Sequence, residues 1–461
     1  MEFFTKAVSL IFSLSILVVL HELGHYIPAK LFKTKVEKFY LFFDPWFSLV
    51  KKKVGDTVYG IGWLPLGGYV KIAGMVDESM DKEQMKKPPE PWEFRSKPAW
   101  QRLIIMIGGV TVNILLAFVI YSMMLFTWGK DVLPASSVAK NGVMVSDVMK
   151  NHGFKDGDKL VSIDGIKPYL FSDFQNGILL DNAKTIEVNR NGKDTLIKIS
   201  NQLPKDVIAS KTRMFSPLVE FIAEKFTESS INKNCGILKG DKIIGINGKN
   251  LPYFQLFAKE LIKDSCREVG LTVLRNGDSL VIDVKVNEDG KIGLYPKQFD
   301  AFIQMDKKEY SFFESIPAGF IEMTVNLSNY VKQLKYVFTS EGIKQVGGFG
   351  SIGSLFPESF ADDDYWQKFW NITALLSVVL AIMNLLPIPA LDGGHVLFLF
   401  YEIIFRRKPG EKFLEYAQIT GMVLLLSLMV YANGKDIING FSSDDKEVKS
   451  SCWEDVDSSD E

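Results

Sequence analysis

The chain has 461 residues and carries 53 Lys+Arg against 55 Asp+Glu, so its net charge is close to zero. That balance excludes the basic footprint of a nucleic-acid-binding protein, and we expect no nucleic-acid partner. The three cysteines lack the tight spacing of a disulfide scaffold or a Cys-rich zinc module, and the sequence leaves open whether Cys235 and Cys266 pair. The histidines available to a metal site are His21, His25, His152 and His395.

The first predicted element is an apolar helix over residues 1–33. Its apolar run Ala7–Leu20 continues into His21–Phe32, and the two together are long enough to span a bilayer. A signal-peptide core is the alternative for so short an apolar run. The amino end lacks a positive segment, however, and no small-x-small cleavage site follows. We therefore interpret the stretch as the first transmembrane helix.

The motif His21-Glu22-Leu23-Gly24-His25 lies at the inner end of this helix. Positions i and i+4 share one helix face, so both imidazoles can bind a single Zn²⁺ ion. Glu22 lies on the adjoining part of the turn, where it can act as a general base without being a ligand. A pair of histidines at a membrane interface is the alternative, but a glutamate flanked by apolar helix is costly without a partner or a task.

Residues 34–101 form a lysine-rich segment that precedes a second predicted transmembrane helix, residues 102–128. A second basic turn, Arg406-Arg407-Lys408, follows the third apolar stretch. The positive-inside bias places both basic segments in the cytoplasm, and the amino terminus, residues 129–366 and the tail outside. The basic residues of the first segment and its flanks are Lys30, Lys33, Lys35, Lys38, Lys51, Lys52, Lys53, Lys71, Lys86, Lys87, Arg95 and Arg102.

The outer region contains an internal repeat. Gly153–Gly165 matches Gly236–Gly248 at an offset of 83 residues, and Arg190-Asn191-Gly192 matches Arg275-Asn276-Gly277. Each block is typical of a Gly-Asp turn, a short buried strand and an Asp/Asn-Gly hairpin turn. A unit of this length is too long for a solenoid. The sequence therefore predicts two small α+β domains, over residues 129–211 and 212–300.

An amphipathic segment, residues 301–366, leads into the third transmembrane segment, residues 367–406. The string from Pro387 to His395 breaks its helix with two prolines and two glycines, which a membrane protein tolerates where the backbone lines a cavity. Asp392 is the one acid of this string, so we predict that it is the third zinc ligand. A helix N-cap role for Asp392 and ligation by His395 are the alternatives, and His152 falls on the outer side.

Residues 411–434 form the fourth predicted transmembrane helix. Residues 435–461 are a polar, acidic tail that we expect to be disordered.

The chain resembles the site-2 proteases, and among them the regulator-of-sigma-E type. The resemblance rests on the HELGH motif, on the string from Asn384 to His395, and on two G-D-K-[LI]-x-x-I-[DN]-G units similar to PDZ domains. The strings Gly67–Gly74 and Glu93–Arg102 agree as well. The family's Gly-Pro-x-x-Asn appears here as Gly109-Val-Thr-Val-Asn113, without the proline.

The resemblance implies a polytopic α-helical membrane protein with four transmembrane helices, a membrane-associated β hairpin and two inserted PDZ-like α+β domains. The hairpin is expected within Val58–Met75, where a plain loop is the alternative. It would pair with an unwound strand of the substrate. The implied site comprises the zinc ligands His21, His25 and Asp392, the base Glu22, and the substrate-positioning residues Asn384, Asn113, Gly67, Gly68 and Tyr69.

The implied activity is zinc-dependent intramembrane proteolysis in the bacterial inner membrane, with the PDZ-like domains in the periplasm. The expected substrate is a single-pass membrane protein already trimmed on its outer side, such as an anti-sigma factor or a signal-peptide remnant. The PDZ-like domains would either exclude bulky substrates or capture a peptide. The rival hypothesis is a non-catalytic membrane scaffold with a structural metal site. The sequence does not define the oligomeric state.

Overall fold

The computed structural model describes residues 2–65, 67–75, 88–298, 301–337 and 339–444. Its helices are α1 (Glu2–Leu31), α2 (Ala99–Trp128), α3 (Ala135–Ala139), α4 (Asp147–Asn151), α5 (Ser172–Leu179), α6 (Leu203–Ser210), α7 (Phe254–Leu261), α8 (Phe312–Val337), α9 (Ser340–Ile343), α10 (Phe349–Gly353), α11 (Tyr365–Leu385), α12 (Asp392–Phe405) and α13 (Glu411–Asp444). Its strands are β1 (Val36–Leu41), β2 (Phe43–Val54), β3 (Thr57–Leu64), β4 (Tyr69–Ile72), β5 (Lys130–Val132), β6 (Val143–Val145), β7 (Lys159–Ile163), β8 (Thr185–Arg190), β9 (Lys193–Lys198), β10 (Phe215–Pro217), β11 (Phe221–Phe226), β12 (Lys242–Ile246), β13 (Lys249–Asn250), β14 (Glu268–Arg275), β15 (Asp278–Lys285), β16 (Leu294–Pro296) and β17 (Asp306–Lys308).

The chain divides into two compact units. The first comprises Met1–Gly129, Glu309–Val337 and Gln345–Phe441, and the second contains Lys130–Lys308 and the short helix α9. Among the described residues, four helices of the first unit are long and apolar enough to cross a bilayer: α1, α2, α11 and most of α13. This is the number of transmembrane helices that the sequence predicts.

The third predicted transmembrane segment, residues 367–406, is broken in the structure. Helix α11 ends at Leu385 and α12 begins at Asp392. Pro387 and Pro389 lie in the gap, because proline lacks an N–H and disfavours helical backbone at the residue before it. The break places Asp392 in the first turn of a new helix.

Buried hydroxyl groups join α1 to α11 inside the apolar bundle. The Ser9 and Tyr365 hydroxyls lie 2.8 Å apart, and those of Ser13 and Thr373 lie 2.9 Å apart. Side-chain hydrogen bonds of this kind hold helices together where lipid removes the hydrophobic driving force. They fix the register of α1 against the helix that leads to the break.

The last helix extends farther than the sequence predicts. We expected it to end near residue 434 and to be followed by a disordered tail, yet α13 continues to Asp444. The side chain of Asp436 accepts the backbone N–H of Gly348 (3.0 Å) and of Ser351 (2.7 Å), and Asn433 accepts that of Phe349 (3.0 Å). These tertiary contacts stabilise helix where the composition indicated tail. Residues 445–461 lie outside the described residues.

Residues 34–101 contain a four-stranded sheet in the order β2-β3-β1-β4. Strand β1 pairs parallel with β3 and antiparallel with β4, whereas β2 and β3 form an antiparallel hairpin around Gly55. The hairpin expected within Val58–Met75 is therefore wrong in its pairing, because β1 lies between the two strands of that stretch. The exposed run Lys51–Lys53 lies on β2, where its charge concealed the strand pattern. Lys86 and Lys87 lie outside the described residues.

The amphipathic segment predicted over residues 301–366 contains helix α8, which packs along α2. Gly319 permits the close approach, since an added Cβ would lie 2.6 Å from the Ser122 nitrogen. On its other side α8 exposes Phe313, Phe320 and Ile321. The segment thus presents a large apolar surface, as an amphipathic helix in contact with lipid requires.

The second unit contains the two sequence repeats, each with its own apolar core. The first has the sheet β7-β8-β9 and the pair β6–β10, and the second has the sheet β15-β14-β12-β11-β16 with β13 paired to β12. Phe174 and Phe257, which correspond in the repeat, are both buried. Cys235 is a free cysteine, so it does not pair with Cys266.

Within each repeat, the Gly-Asp turn and the Arg-Asn-Gly motif lie next to each other. Arg190 donates two hydrogen bonds to the buried Asp158 (2.7 and 2.8 Å), and Arg275 donates two to Asp241 (2.8 and 2.6 Å). Each Gly-Asp turn is thereby tied to the hairpin that carries Arg-Asn-Gly. The Arg275 guanidinium also holds the pKa of Asp241 below its usual value.

Replacing Asp241 by Asn should loosen the second repeat, because the neutral amide loses the charge-assisted pair with Arg275. We expect cleavage within residues 218–298 of the full chain by an added protease to be about tenfold faster. The lowered pKa of Asp241 gives stability that is present above the unfolded value of about 3.9 and is lost as the pH falls through the folded value. Asp241→Asn should therefore also lose that part of the acid sensitivity.

The control for this experiment is Asp278→Asn, since Asp278 is an exposed residue of the same sheet. It should be cleaved at the wild-type rate. Equal cleavage rates for Asp241→Asn and the wild type would contradict the structural role of the pair.

Candidate metal centre

Helix α1 presents His21 and His25 one turn apart on the side that faces α2. The two helices touch at glycines: a Cβ at Gly24 would lie 2.8 Å from Gly109 Cα, and one at Gly109 would lie 2.6 Å from His21 Cε1. Small residues at this crossing let the backbones approach closely. As a result both imidazole rings are buried, at 8% and 7% exposure, and they contact each other edge to face.

Asp392, in the first turn of α12, completes a cluster of three possible metal ligands. Its Oδ2 lies 3.3 Å from His21 Nε2 and 3.2 Å from His25 Nε2, and the two Nε2 atoms are 3.2 Å apart. Ligand atoms at about 2.0–2.2 Å from a tetrahedral zinc ion are themselves about 3.3 Å apart. The three donors therefore have the mutual spacing that zinc requires.

The chemistry of the cluster also fits a cation. Asp392 Oδ2 is buried and has no hydrogen-bond partner among the described residues. A buried carboxylate oxygen is costly unless a cation or a proton compensates it. Two imidazoles and one carboxylate form a donor set that catalytic zinc sites use with a fourth position left open.

The outer ring nitrogens of both histidines are held by α2. His25 Nδ1 lies 2.8 Å from the Ile105 carbonyl oxygen, so Nδ1–H donates there and the Nε2 lone pair faces the cluster. His21 Nδ1 lies 3.1 Å from the Asn113 amide, whose Oδ1 is buried and has no hydrogen-bond partner in the described part of the chain. Turning that amide by 180° gives His21 Nδ1–H its acceptor and leaves His21 Nε2 for a metal.

The two predicted asparagines both lie beside His21. Asn384, in the last turn of α11, has its Nδ2 3.3 Å from His21 Nε2. The backbone carbonyl of Asn113 accepts the Ser377 hydroxyl at 2.7 Å. Val110 stands where the family has proline, and α2 is an unbroken helix there.

Glu22 lies against strand β4. The helix that carries it packs against this strand, and a Cβ at Gly68 would lie 3.6 Å from Glu22 Cγ. Glycine at 68 thus lets the sheet backbone approach the glutamate. Gly67, Gly68 and Tyr69 were predicted to position the substrate. Among them, Gly68 is the residue whose backbone lies beside Glu22.

The side chain of Tyr69 is directed into the sheet. Its ring stacks on Tyr40 and Phe43 at centroid distances of 5.3 and 6.0 Å, and its hydroxyl donates to Asp44 at 2.8 Å. Gly67 has φ 144° and backs onto the Phe43 ring. These two residues therefore shape the sheet edge.

The remaining histidines lie elsewhere. His395 lines a cavity of about 260 Å³ together with Arg102 and Glu402. His152 Nε2 lies 2.9 Å from Asp206. The cluster found among the described residues contains neither of them.

Sequence reasoning found Asn113 and Asn384 but missed the other supporting groups of the centre. Neither the Ile105 carbonyl nor the glycine contact at Gly24 carries a chemical signature. Gln418 of α13 was missed as well, although its Oε1 accepts the Ala390 N–H next to the Asp392 turn. A buried glutamine within an apolar spanning helix is the signal that could have found it.

An HExxH helix and a distant aspartate inside a bundle of apolar helices define a membrane-bound metallopeptidase. Residues 9–428 match Peptidase family M50, and the chain belongs to that family, the site-2 proteases. This confirms the predicted membership of the site-2 protease family, and the protein is a zinc metalloprotease with membrane-spanning helices.

Relatives cover the chain almost from end to end. A protein of Campylobacter jejuni named a zinc metalloprotease is 27% identical over 424 residues, which cover 92% of this chain and 91% of the relative. A protein of Vibrio cholerae with the same name is 28% identical, covering 94% and 98%. The regulator of sigma E protease of Haemophilus influenzae is 26% identical, covering 95% and 100%.

Replacing Asn113 by Leu should weaken zinc binding, because His21 loses the partner that fixes its ring. We expect the zinc dissociation constant of the purified protein to rise about tenfold, the lower end of the effect of such supporting residues. Asn113→Asp keeps an acceptor for Nδ1–H and should bind zinc nearly as the wild type does. Equal affinities for the Leu variant and the wild type would remove Asn113 from the site.

Proposed function

We propose that the protein is an intramembrane endopeptidase that cleaves the transmembrane segment of a single-pass membrane protein. The observation that carries this proposal is the cluster of His21, His25 and Asp392 between spanning helices, with Glu22 on the same helix turn. Soluble substrates would not reach donors buried among apolar helices. A transmembrane segment that approaches through the bilayer would reach them.

In this proposal His21, His25 and Asp392 hold the zinc ion. Bound zinc supplies a Lewis acid that polarises a peptide carbonyl and lowers the pKa of water. Three protein ligands leave a position open for that chemistry, whereas structural zinc sites are usually closed by four. This count favours the enzyme over a scaffold with a structural metal.

Glu22 acts as the general base in the proposed reaction. Its carboxylate removes the proton of the attacking water and returns that proton to the leaving amine. The Gly68 backbone, which lies against the Glu22 side chain, restricts the position of this carboxylate. Because Glu22 follows His21 directly, the base and the first ligand are fixed by the same helix turn.

Strand β4 is the candidate docking edge for the substrate. It is the outer strand of the order β2-β3-β1-β4 and packs against α1. Gly68, the residue before this strand, lies beside Glu22. A peptide bond in a helix is shielded, so cleavage requires local unwinding. An added strand on β4 satisfies the freed N–H and C=O groups and brings the bond to the base.

We infer the cellular setting from the basic segments and from one relative. The Lys/Arg bias favours an orientation with the Lys-rich segment in the cytoplasm. In a bacterial inner membrane this orientation places the two repeats, as PDZ-like domains, in the periplasm. The Haemophilus influenzae relative is named for the regulation of sigma E. An anti-sigma factor that has lost its outer domain fits both inferences as the substrate, and a stress response fits as the process.

Glu22→Gln should abolish cleavage and keep zinc, because Glu22 adjoins the ligands without being one. We expect the rate of cleavage of a membrane substrate to fall by roughly 10²–10⁴-fold, with wild-type zinc content in the same preparation. Asp392→Ala is the matched contrast, since loss of a ligand should lower both zinc content and activity. Cleavage by Glu22→Gln near the wild-type rate would contradict the mechanism.

The repeats should act mainly by excluding substrates with intact outer domains. They are inserted between the second and third spanning helices and form a unit of their own, so deletion of residues 132–300 leaves the proposed ligands in place. We expect this variant to cleave substrates that still carry a folded outer domain, which the wild type rejects. Cleavage is measured on paired substrates with and without that domain.

Peptide capture makes the opposite prediction for the same variant. If the repeats bind a peptide, their deletion should slow the cleavage of a trimmed substrate. A deletion variant that binds zinc, stays in the membrane and still rejects untrimmed substrates would contradict exclusion.

A further inference from the structure

The chain makes a tight turn two residues before Asp392. The Leu391 N–H donates to the Ile388 carbonyl at 3.0 Å, which closes a β-turn with Pro389 and Ala390 at its centre. Ala390 has φ +81°, the value that a type II turn requires at its third residue. Glycine or asparagine normally fills that position, because a Cβ is disfavoured in the left-handed region.

A Pro-Ala pair by itself therefore favours the type I turn. The two types differ by a flip of the central peptide, here the Pro389–Ala390 unit. Something outside the turn has to select type II.

Helix α13 contacts this one peptide at both its N–H and its carbonyl. Gln418 Oε1 accepts the Ala390 N–H at 3.2 Å, and Gln418 is only 4% exposed. One turn later, Gly421 faces the Pro389 carbonyl, and a Cβ there would overlap that carbonyl and lie 3.1 Å from Pro389 Cα. A flipped peptide would turn its carbonyl oxygen toward Gln418 Oε1 and leave its N–H without a water acceptor in the bilayer.

The turn and the first turn of α12 are packed as one piece. An added Cβ at Gly394 would lie 2.6 Å from the Ile388 carbonyl oxygen, and the Gly394 N–H donates to Leu391 at 3.0 Å. A change of turn type would therefore move Asp392, whose Oδ2 lies within 3.3 Å of both histidine Nε2 atoms.

We propose that Gln418 is a positioning residue of the metal centre: it holds the Pro389–Ala390 peptide in the type II turn that directs Asp392 toward His21 and His25. The inference rests on the proposed function, in which Asp392 is a zinc ligand. Gln418 acts through the backbone and touches neither metal nor substrate.

The test compares zinc affinity in variants of the full-length protein in lipid nanodiscs. Gln418→Leu removes the acceptor at similar volume and should raise the zinc dissociation constant about tenfold, measured by competition with a fluorescent chelator. The Co²⁺-substituted protein should show an altered visible absorption spectrum. Gln418→Glu keeps an acceptor oxygen and should resemble the wild type, as should Thr420→Leu, an exposed position on the same helix.

A second substitution distinguishes a positioning role of Gln418 from a role in helix packing alone. Ala390→Gly removes the Cβ that strains the type II turn, so in the Gln418→Leu background it should restore most of the zinc affinity. Loss of helix packing at position 418 would not respond to a change at Ala390. If Gln418→Leu is not recovered as folded protein, Gly421→Ala tests the other end of the same peptide and should weaken zinc binding.

Wild-type zinc affinity in Gln418→Leu, or in Gly421→Ala where only that variant folds, overturns the inference. So does a loss that Ala390→Gly fails to restore. Asp392→Ala is measured in parallel. If Asp392→Ala keeps wild-type zinc affinity, the proposed ligand set itself is wrong; if it loses zinc while Gln418→Leu does not, only the role of Gln418 fails.

Discussion

The close contact of α1 with α2 at Gly24 is the constraint on which the centre depends. Inside a bilayer no water satisfies a polar group, so each one must find a partner in the protein. Because the helix backbones meet, His25 reaches the Ile105 carbonyl and His21 reaches Asn113. A side chain at Gly24 would separate the helices and leave both imidazoles without these partners, which would release the rings from the orientation that metal binding requires.

The break between α11 and α12 imposes a second constraint, because Asp392 reaches both histidines from the first turn of the new helix that follows the break. The break exposes backbone groups that lipid cannot satisfy. The structure satisfies them with short internal turns and with Gln418 from the neighbouring helix. Helix α13, the fourth spanning helix, thus satisfies part of the non-helical segment. It becomes part of the site although it supplies none of the three donors.

The sequence predicts those features of the structure that depend on residues close together in the chain. The pairing of His21 with His25 depends only on helical periodicity. Pro387 and Pro389 predict the break between α11 and α12. The third donor was inferred because Asp392 is an acid in an apolar string. The partners of β1 and the extension of α13 past residue 434 depend on contacts between distant segments, such as Asp436 with Gly348. Such contacts leave no periodic trace, and a lone asparagine or glutamine shows its polarity but not its partner.

The three donors do not share one support. Both imidazoles and Glu22 belong to a single turn of α1, which packs against α2 on one side and against strand β4 on the other. Asp392 alone is on a separate element, and its turn has a conformation that its own residues disfavour. A displacement of α12 or α13 therefore changes the distance from the carboxylate to the imidazoles while the relation of Glu22 to the histidines stays constant. Of the groups that the chemistry requires, the base and two donors are permanent features of one helix, and the third donor is the point at which the rest of the bundle can act on the site.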